Sequence, residues 1–248
     1  MGTVQSTKMP LDGRAAMIIG ASGDIGRAIA VALAACGAAV YVVGRDKRRL
    51  ADTVSAVEVH GRSTAALACD LTEDGHIEQL VELVATTHGG LDVLVHSAGI
   101  YLRGELAAAN VEDLDAQYQA NIRLPYRLTQ AVLPMLARSR GDVVFVNSTQ
   151  GLSASPGVGQ FAATQHAMRA VADSLRAEVN RVGVRVTSLH VGRTATTRQE
   201  RIFAGEGRPY TPEALIQPED LGELVVTAVS LPRRAQVTTL TVWPTRAV

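Results

Sequence analysis

Short apolar runs alternate with longer amphipathic segments along the whole of this 248-residue chain, and that alternation most narrows what it can fold into. Residues 15–19, 39–43, 64–69, 91–95, 142–146, 184–189 and 237–242 read as strands. Several are almost wholly apolar, as suits a parallel sheet covered on both faces. Residues 25–36, 48–57, 77–87, 111–137, 161–182 and 219–231 carry helical spacing between them. Strand–helix alternation of this kind predicts an α/β fold, a doubly wound parallel seven-stranded sheet with right-handed crossovers. No composition break or repeat divides the chain, so one domain over 1–248 is expected. Residues 192–218, with Gly205, Gly207, Pro209, Pro212 and Pro218, form the least regular stretch. They read either as a substrate lid or as an ordinary surface excursion.

Composition limits the partners. Lys+Arg and Asp+Glu number 24 each, so neither nucleic acid nor an anionic membrane is a favoured partner. No segment nears the roughly 18 apolar residues of a membrane span. Residues 1–10 are polar and expected to be flexible. Cys36 and Cys69 form no metal-ligand or CxxC pattern and read as two small buried residues of a reducing compartment. A cytoplasmic location is therefore expected.

The first strand ends in Gly20-Ala21-Ser22-Gly23-Asp24-Ile25-Gly26. Glycines here permit positive φ and close approach of a pyrophosphate, whose oxygens meet free N–H groups at the helix start. Gly26 also lets helix and strand pack closely. The alternative is a structural turn with no ligand, but placement on the first strand–helix junction favours binding. After the second strand stand Gly44, Arg45 and Asp46. An acid there would select a 2′-hydroxyl and an arginine a 2′-phosphate. Arg45 thus favours NADP(H) over NAD(H), the alternative being a solvated surface arginine beside Asp46. Asp70 either meets the adenine or caps the helix after Leu71 and Thr72.

Further segments complete a pattern: Cys69-Asp70-Leu71; His96-Ser97-Ala98-Gly99; Asn121; the strand running to Asn147-Ser148; and Val191-Gly192-Arg193-Thr194-Ala195-Thr196. Taken together with the glycine turn, the chain resembles the classical short-chain dehydrogenase/reductases over almost its whole length. That resemblance implies a Rossmann domain. Gly20, Ser22, Gly23, Asp24, Ile25, Gly26, Arg45, Asp70, Leu71, Ser97, Ala98, Gly99, Gly192, Thr194 and Thr196 would surround the cofactor. Ser148 and Asn121 would belong to the catalytic set. Val191 stands where the family has proline. The resemblance also implies a homodimer or homotetramer formed in part through the helices at 111–137 and 161–182.

The resemblance breaks at one place. Family members carry Tyr-x-x-x-Lys beginning thirteen residues after the serine, and here those positions hold Phe161 and Gln165. The family's tyrosine protonates the developing alkoxide, and its lysine lowers the tyrosine pKa and binds ribose. Phe161 has no transferable proton, and Gln165 can hydrogen-bond but carries no charge. A general acid is worth about 10²–10⁴-fold. Gln165 should share a helix face with Phe161, while His166, about 100° further round, should point elsewhere. His96 and His190, near strand ends, either titrate near neutral pH or serve structure. Tyr101 either enters the substrate mouth or forms an apolar wall. Thr149 and Gln150 either bind substrate or finish the strand turn.

Three functions are open, the first favoured. One is an atypical NADP(H)-linked oxidoreductase acting on a carbonyl or alcohol of a small-molecule substrate. Another is a non-redox cyclase, isomerase or dehydratase on the same scaffold. The third is a non-catalytic binding or assembly subunit, a pseudoenzyme.

Overall fold

A computed structural model of the protein describes residues 9–246. The stretch expected to be flexible, 1–10, lies outside the described residues from 1 to 8.

The apolar runs become β1 (Ala15–Ile19), β2 (Ala39–Gly44), β3 (Thr64–Ala68), β4 (Val93–His96), β5 (Asp142–Ser148), β6 (Arg185–Val191) and β7 (Thr239–Val242). Among the described residues they form one seven-stranded sheet, ordered β3-β2-β1-β4-β5-β6-β7, every neighbour parallel. Side chains alternate across it. Met17, Ile19, Leu94 and Phe145 face one apolar layer, and Ala16, Ile18, Val93, Val95 and Val144 the other. The first layer is covered by α3 (His76–His88), α5 (Leu124–Ser139) and α6 (Gly159–Val179), through Leu80, Leu128, Val132 and Met168. The second is covered by α1 (Asp24–Ala35), α2 (Lys47–Glu58) and α8 (Pro218–Ser230), through Ile29, Leu33, Leu50, Leu221 and Val225. Strand order reverses between β1 and β4, which opens a crevice at their carboxyl ends.

The opposite, amino ends are tied electrostatically. Buried Asp142 accepts from Arg185 Nε at 2.6 Å and from Arg233 Nη1 at 3.0 Å. Arg185 also donates to the carbonyls of Val229, Leu231 and Ala235. The charged pair is thus satisfied from several elements, as a buried ion pair must be.

Three expectations change. The helix expected over 111–137 is two helices, α4 (Val111–Tyr118) and α5, joined by a π-helical turn over Gln119–Arg123. Its cause is tertiary, because Asn121 within that turn is held by Ile100 and Thr164, outside the helix. The stretch 192–218 is not simply irregular, since it contains α7 (Thr197–Gly205). Thr196 caps that helix by accepting from the Gln199 N–H at 3.1 Å, and the Thr-x-x-Gln spacing of a capping box was the available signal. Cys36 and Cys69 are free but half-buried rather than buried.

Candidate functional site

The nucleotide side of the crevice is made mostly of backbone. Gly20 has φ +87°, and a Cβ there would lie 2.6 Å from the Ala98 nitrogen. A Cβ on Gly26 would strike the Gly20 carbonyl and come within 2.6 Å of Ser97 Oγ. Both glycines are therefore required by close packing of β1, α1 and the chain after β4. The Gly20 N–H donates to Val43 O, and the Gly23 N–H to Gly20 O, which fixes the turn. No side chain caps α1 at Gly23. Its first N–H groups therefore lack intrahelical acceptors, a positive helix end suited to an anion. A dinucleotide pyrophosphate fits this cradle.

Neighbouring residues are more occupied than their sequence suggests. Asp24 accepts from Arg49 Nη2 at 2.7 Å and from the Thr197 N–H at 2.8 Å, and so clips α7 to the glycine turn. Leu71 is buried in the core. Asp70 accepts from both the Thr72 N–H and the Thr72 hydroxyl and lies 3.6 Å from Arg45. Burial pushes the Asp70 carboxyl up, but the Thr72 hydrogen bonds and the Arg45 cation together hold it below the usual range. At the end of β2, a Cβ on Gly44 would lie 2.6 Å from Ser22 Oγ, so the hydroxyl takes the space an acidic side chain would need.

A cavity of about 590 Å³ runs from Ile25 past Ser97, Ala98 and Gly99 to Ser148. Asn121, Phe161, Gln165, Gly192, Thr194 and Thr196 line it as well. Gly20, Ser22, Gly23, Asp24, Gly26, Arg45, Asp70 and Leu71 lie outside its lining, toward the β2–β3 side. Ser148 ends β5, and its Oγ accepts from the Gln150 N–H at 3.1 Å. Asn121 joins three segments. Its Oδ1 accepts from the Ile100 N–H at 2.8 Å, while Nδ2 donates to Ile100 O at 3.0 Å and Thr164 Oγ1 at 3.1 Å. The π-helical turn is what aims it there, a common cause of such turns beside functional sites. Gln165 is buried, and its Nε2 donates to Thr164 Oγ1 at 3.3 Å. Phe161 meets Tyr101 edge to face with ring centroids 5.0 Å apart, and both line the cavity. Thr149 and Gln150 line it too. Thr164, which anchors Asn121 and Gln165 together, was not singled out by sequence, and nothing in its local pattern marks it.

The histidines serve structure. His96 is stacked on Phe145 and hydrogen-bonded to Thr129 Oγ1 at 2.9 Å, and burial pushes its pKa down to about 3. It is neutral at neutral pH. His190 is fully buried with Nδ1 3.2 Å from the Ser148 carbonyl. A carbonyl only accepts, so that nitrogen carries the proton, and burial pushes the imidazole down. His166 is exposed and bonds Ala162 O.

The outer part of the cavity is strongly basic, which sequence reading did not foresee. Arg103, Arg193, Arg198 and Arg208 line it with one carboxylate, Glu206. Arg198 reaches across to donate to the Gly99 carbonyl.

Residues 14–207 match the family profile described as short chain dehydrogenase. An uncharacterized short-chain type dehydrogenase/reductase of Sinorhizobium fredii is 34% identical over 94% of this chain and 92% of its own. A short chain dehydrogenase of Burkholderia cenocepacia, solved in complex with NADP, superposes with a TM-score of 0.84 at 29% identity, covering 95% of this chain and 98% of its own. A 7α-hydroxysteroid dehydrogenase complexed with NADH superposes at 0.85 with 22% identity, over 95% and 94% of the two chains. That last likeness is one of fold.

Proposed function

This chain belongs to the short-chain dehydrogenase/reductase family of oxidoreductases, and from that membership we propose that it binds NADP(H) and interconverts a carbonyl and an alcohol on a small molecule by an altered proton path. One observation carries the reading: Ile25, in the uncapped first turn of α1, and Ser148 line a single cavity. A nicotinamide dinucleotide, when bound, supplies or accepts the hydride. The chain's residues do the rest. Gly20, Gly23 and Gly26 shape the phosphate cradle. Ser148, whose oxygen already accepts from Gln150, has its proton free for a substrate oxygen. Asn121 holds the loop after β4 against α6. The 2′-phosphate preference rests on Arg45 and on the absence of an acid at Gly44.

In this reading Phe161 and Gln165 occupy the places of the family's tyrosine and lysine, and the proton comes from elsewhere. Tyr101 is the one phenol among the residues lining the cavity, and its ring lies against Phe161. Burial pushes its pKa up, against the pull of Arg103 and Arg193, so it keeps its proton at neutral pH. A phenol still yields a proton to an alkoxide, which is far more basic. Tyr101→Phe should therefore lower reduction by about 10²-fold while leaving NADPH affinity unchanged.

Residues 192–218 would act as the lid, α7 being clipped to the glycine turn through Asp24. Half-exposed Tyr118 and Tyr126, on the helical stretch expected at a subunit interface, favour a homodimer or homotetramer. No helix among the described residues is long and apolar enough to cross a membrane, and a cytoplasmic site of action is part of the same proposal.

The test is NADPH titration followed by a carbonyl panel, read as substrate-dependent loss of the reduced nicotinamide's absorbance. Binding with oxidation supports the reading. Product formed without net cofactor oxidation replaces it with a non-redox reaction. Failure of every substrate, with a stable hetero-oligomer, replaces it with an assembly role.

A further inference from the structure

Three guanidinium groups at the cavity mouth share one carboxylate. Arg193 Nη2 donates to both Glu206 oxygens, at 3.0 and 2.8 Å. Arg103 Nη1 donates to Oε1 at 3.1 Å, and Arg208 Nη1 to Oε2 at 3.4 Å. They come from three separate segments: the chain after β4, the turn after β6 and the end of α7. Arg193 and Arg208 also stand over the Phe203 ring, their guanidinium carbons 4.7 and 5.1 Å from its centroid.

This arrangement is positively charged in excess. Glu206 neutralises one guanidinium, and two positive charges remain in a region whose carboxylate is only 14% exposed. Like charges held this close repel one another, most strongly where water is excluded. The hydrogen bonding is unfinished too. Arg193 Nη1 is buried and has no protein partner, whereas buried N–H groups in folded proteins nearly always have one. The same cavity holds Ser148 and Tyr101. The two hydroxyls and the guanidinium cluster therefore line one cavity.

We propose that this cluster is a recognition site for an anionic group on the substrate, a carboxylate or a phosphate, with Arg193 Nη1 as its innermost donor and Arg103 and Arg208 as its rim. Glu206 is the strut that holds the guanidinium groups apart and oriented. The substrate class becomes an oxo- or hydroxy-compound bearing an anion away from the reacting carbon. This deepens the oxidoreductase reading and rests on it for the word substrate, but recognition of the anion stands on geometry alone. The site is distinct from the start of α1, because its donors are arginine side chains from the chain after β4 and from either side of α7 rather than backbone N–H groups.

The experiment is equilibrium binding by calorimetry, with and without NADPH. Its probes are a graded series of oxo-carboxylates, their neutral methyl esters, and matched hydroxy-alkyl phosphates. Free acids or phosphates should bind at least about ten-fold more tightly than the esters, the counterpart of about 1.4 kcal/mol. That gap should close to about two-fold in Arg193→Gln. Arg208→Gln and Arg103→Gln, at more exposed positions, should each narrow it and keep the test open if the buried variant misfolds. The proposal is overturned if acid and ester bind alike, if no anion in the panel binds, or if the gap survives all three substitutions. Carboxylate against phosphate is decided by which arm shows the wider gap. Binding needs no turnover, so an acid–ester gap without NADPH oxidation would sink the redox reading and leave this one standing. Oxidation of NADPH by esters and acids alike would do the reverse.

Discussion

The two halves of the crevice in the proposed reading, the glycine turn as nucleotide half and the Ser148 cavity as reaction half, are specified in different ways. The first is built from backbone: positive φ at Gly20, absent Cβ atoms at Gly20 and Gly26, and free N–H groups at the start of α1. The second is built from side chains: Ser148, Asn121, Phe161, Gln165 and Tyr101, placed by strand ends, α6 and a π-helical turn. A backbone cradle changes only if the chain path changes. A side chain can be exchanged with the path intact. One scaffold can therefore hold its phosphate turn constant while its proton chemistry is rewritten, and substitutions in one half should leave the other half's affinity alone.

The largest expected effect is restoration of the reaction half. Phe161→Tyr with Gln165→Lys introduces a phenol and an adjacent cation onto one face of α6. Carbonyl reduction with NADPH should rise by about 10²–10⁴-fold, read as initial rates at saturating cofactor. Gln165 is buried and donates to Thr164 Oγ1, which Asn121 also reaches, and the single Gln165→Lys change is the control for the burial cost of the new ammonium. A double variant that folds, binds NADPH and shows no gain would mean that more than two side chains separate this site from a standard one.

Next comes damage to the nucleotide half. Gly20→Ala places a Cβ 2.6 Å from the Ala98 nitrogen at φ +87°. Strain of about 1–3 kcal/mol must be relieved by moving the turn, so NADPH should bind roughly five- to a hundred-fold more weakly. Affinity of the cavity mouth for an anionic probe should stay the same. If both affinities fell together, the halves would not be separable.

How far the chain could be read beforehand follows the same division. Strands, their parallel pairing in one sheet and the glycine turn were legible because they depend on periodicity and on residues with restricted backbone roles. Phe161 and Gln165 could be placed at the cavity because their register from Ser148 contains no gap, and that they stand in for a tyrosine and a lysine is part of the proposal. The Arg103–Arg193–Arg208 cluster was not, since its members lie far apart in sequence and meet only when α7 folds over the cavity. Nor was the π-helical turn at Asn121. An extra residue in a helix leaves the local apolar spacing nearly unchanged, and its cause is a hydrogen bond to Thr164, 43 positions away. The histidines needed coordinates for their burial, although a structural role was the better expectation for both.

His96 gives a pH test of the reaction half. Its folded pKa is about 3 against an ordinary 6.5, so the unfolded chain takes up the proton first as pH falls. The contribution is present above about pH 6.5 and is lost below it, by up to about 1.4 kcal/mol for each pH unit down toward 3. Denaturant midpoints from pH 7.5 to pH 4.5 (a range that takes in about the upper two pH units of this linkage) should fall less steeply in His96→Gln than in the parent. Equal slopes would show that His96 is not held neutral. Reduction rates should show no inflection from this ring near neutrality.

The smallest effect belongs to Arg45, at the far edge of the nucleotide half. Its side chain is 71% exposed and already faces the Asp70 carboxylate at 3.6 Å. An ion pair so wet contributes at most about 1 kcal/mol, and that contribution fades as salt rises. Arg45→Gln should lower the ratio of NADPH to NADH affinity about five-fold at low ionic strength and less at high. The change should come from NADPH alone, because a 2′-hydroxyl offers the guanidinium no charge. With Gly44 bare and Ser22 filling its side-chain space, the proposed role of the arginine is confined to the 2′-phosphate. A parallel loss of NADH affinity would mean that Arg45 supports the fold of the β2 end, and the charge-based account of cofactor choice would have to be dropped.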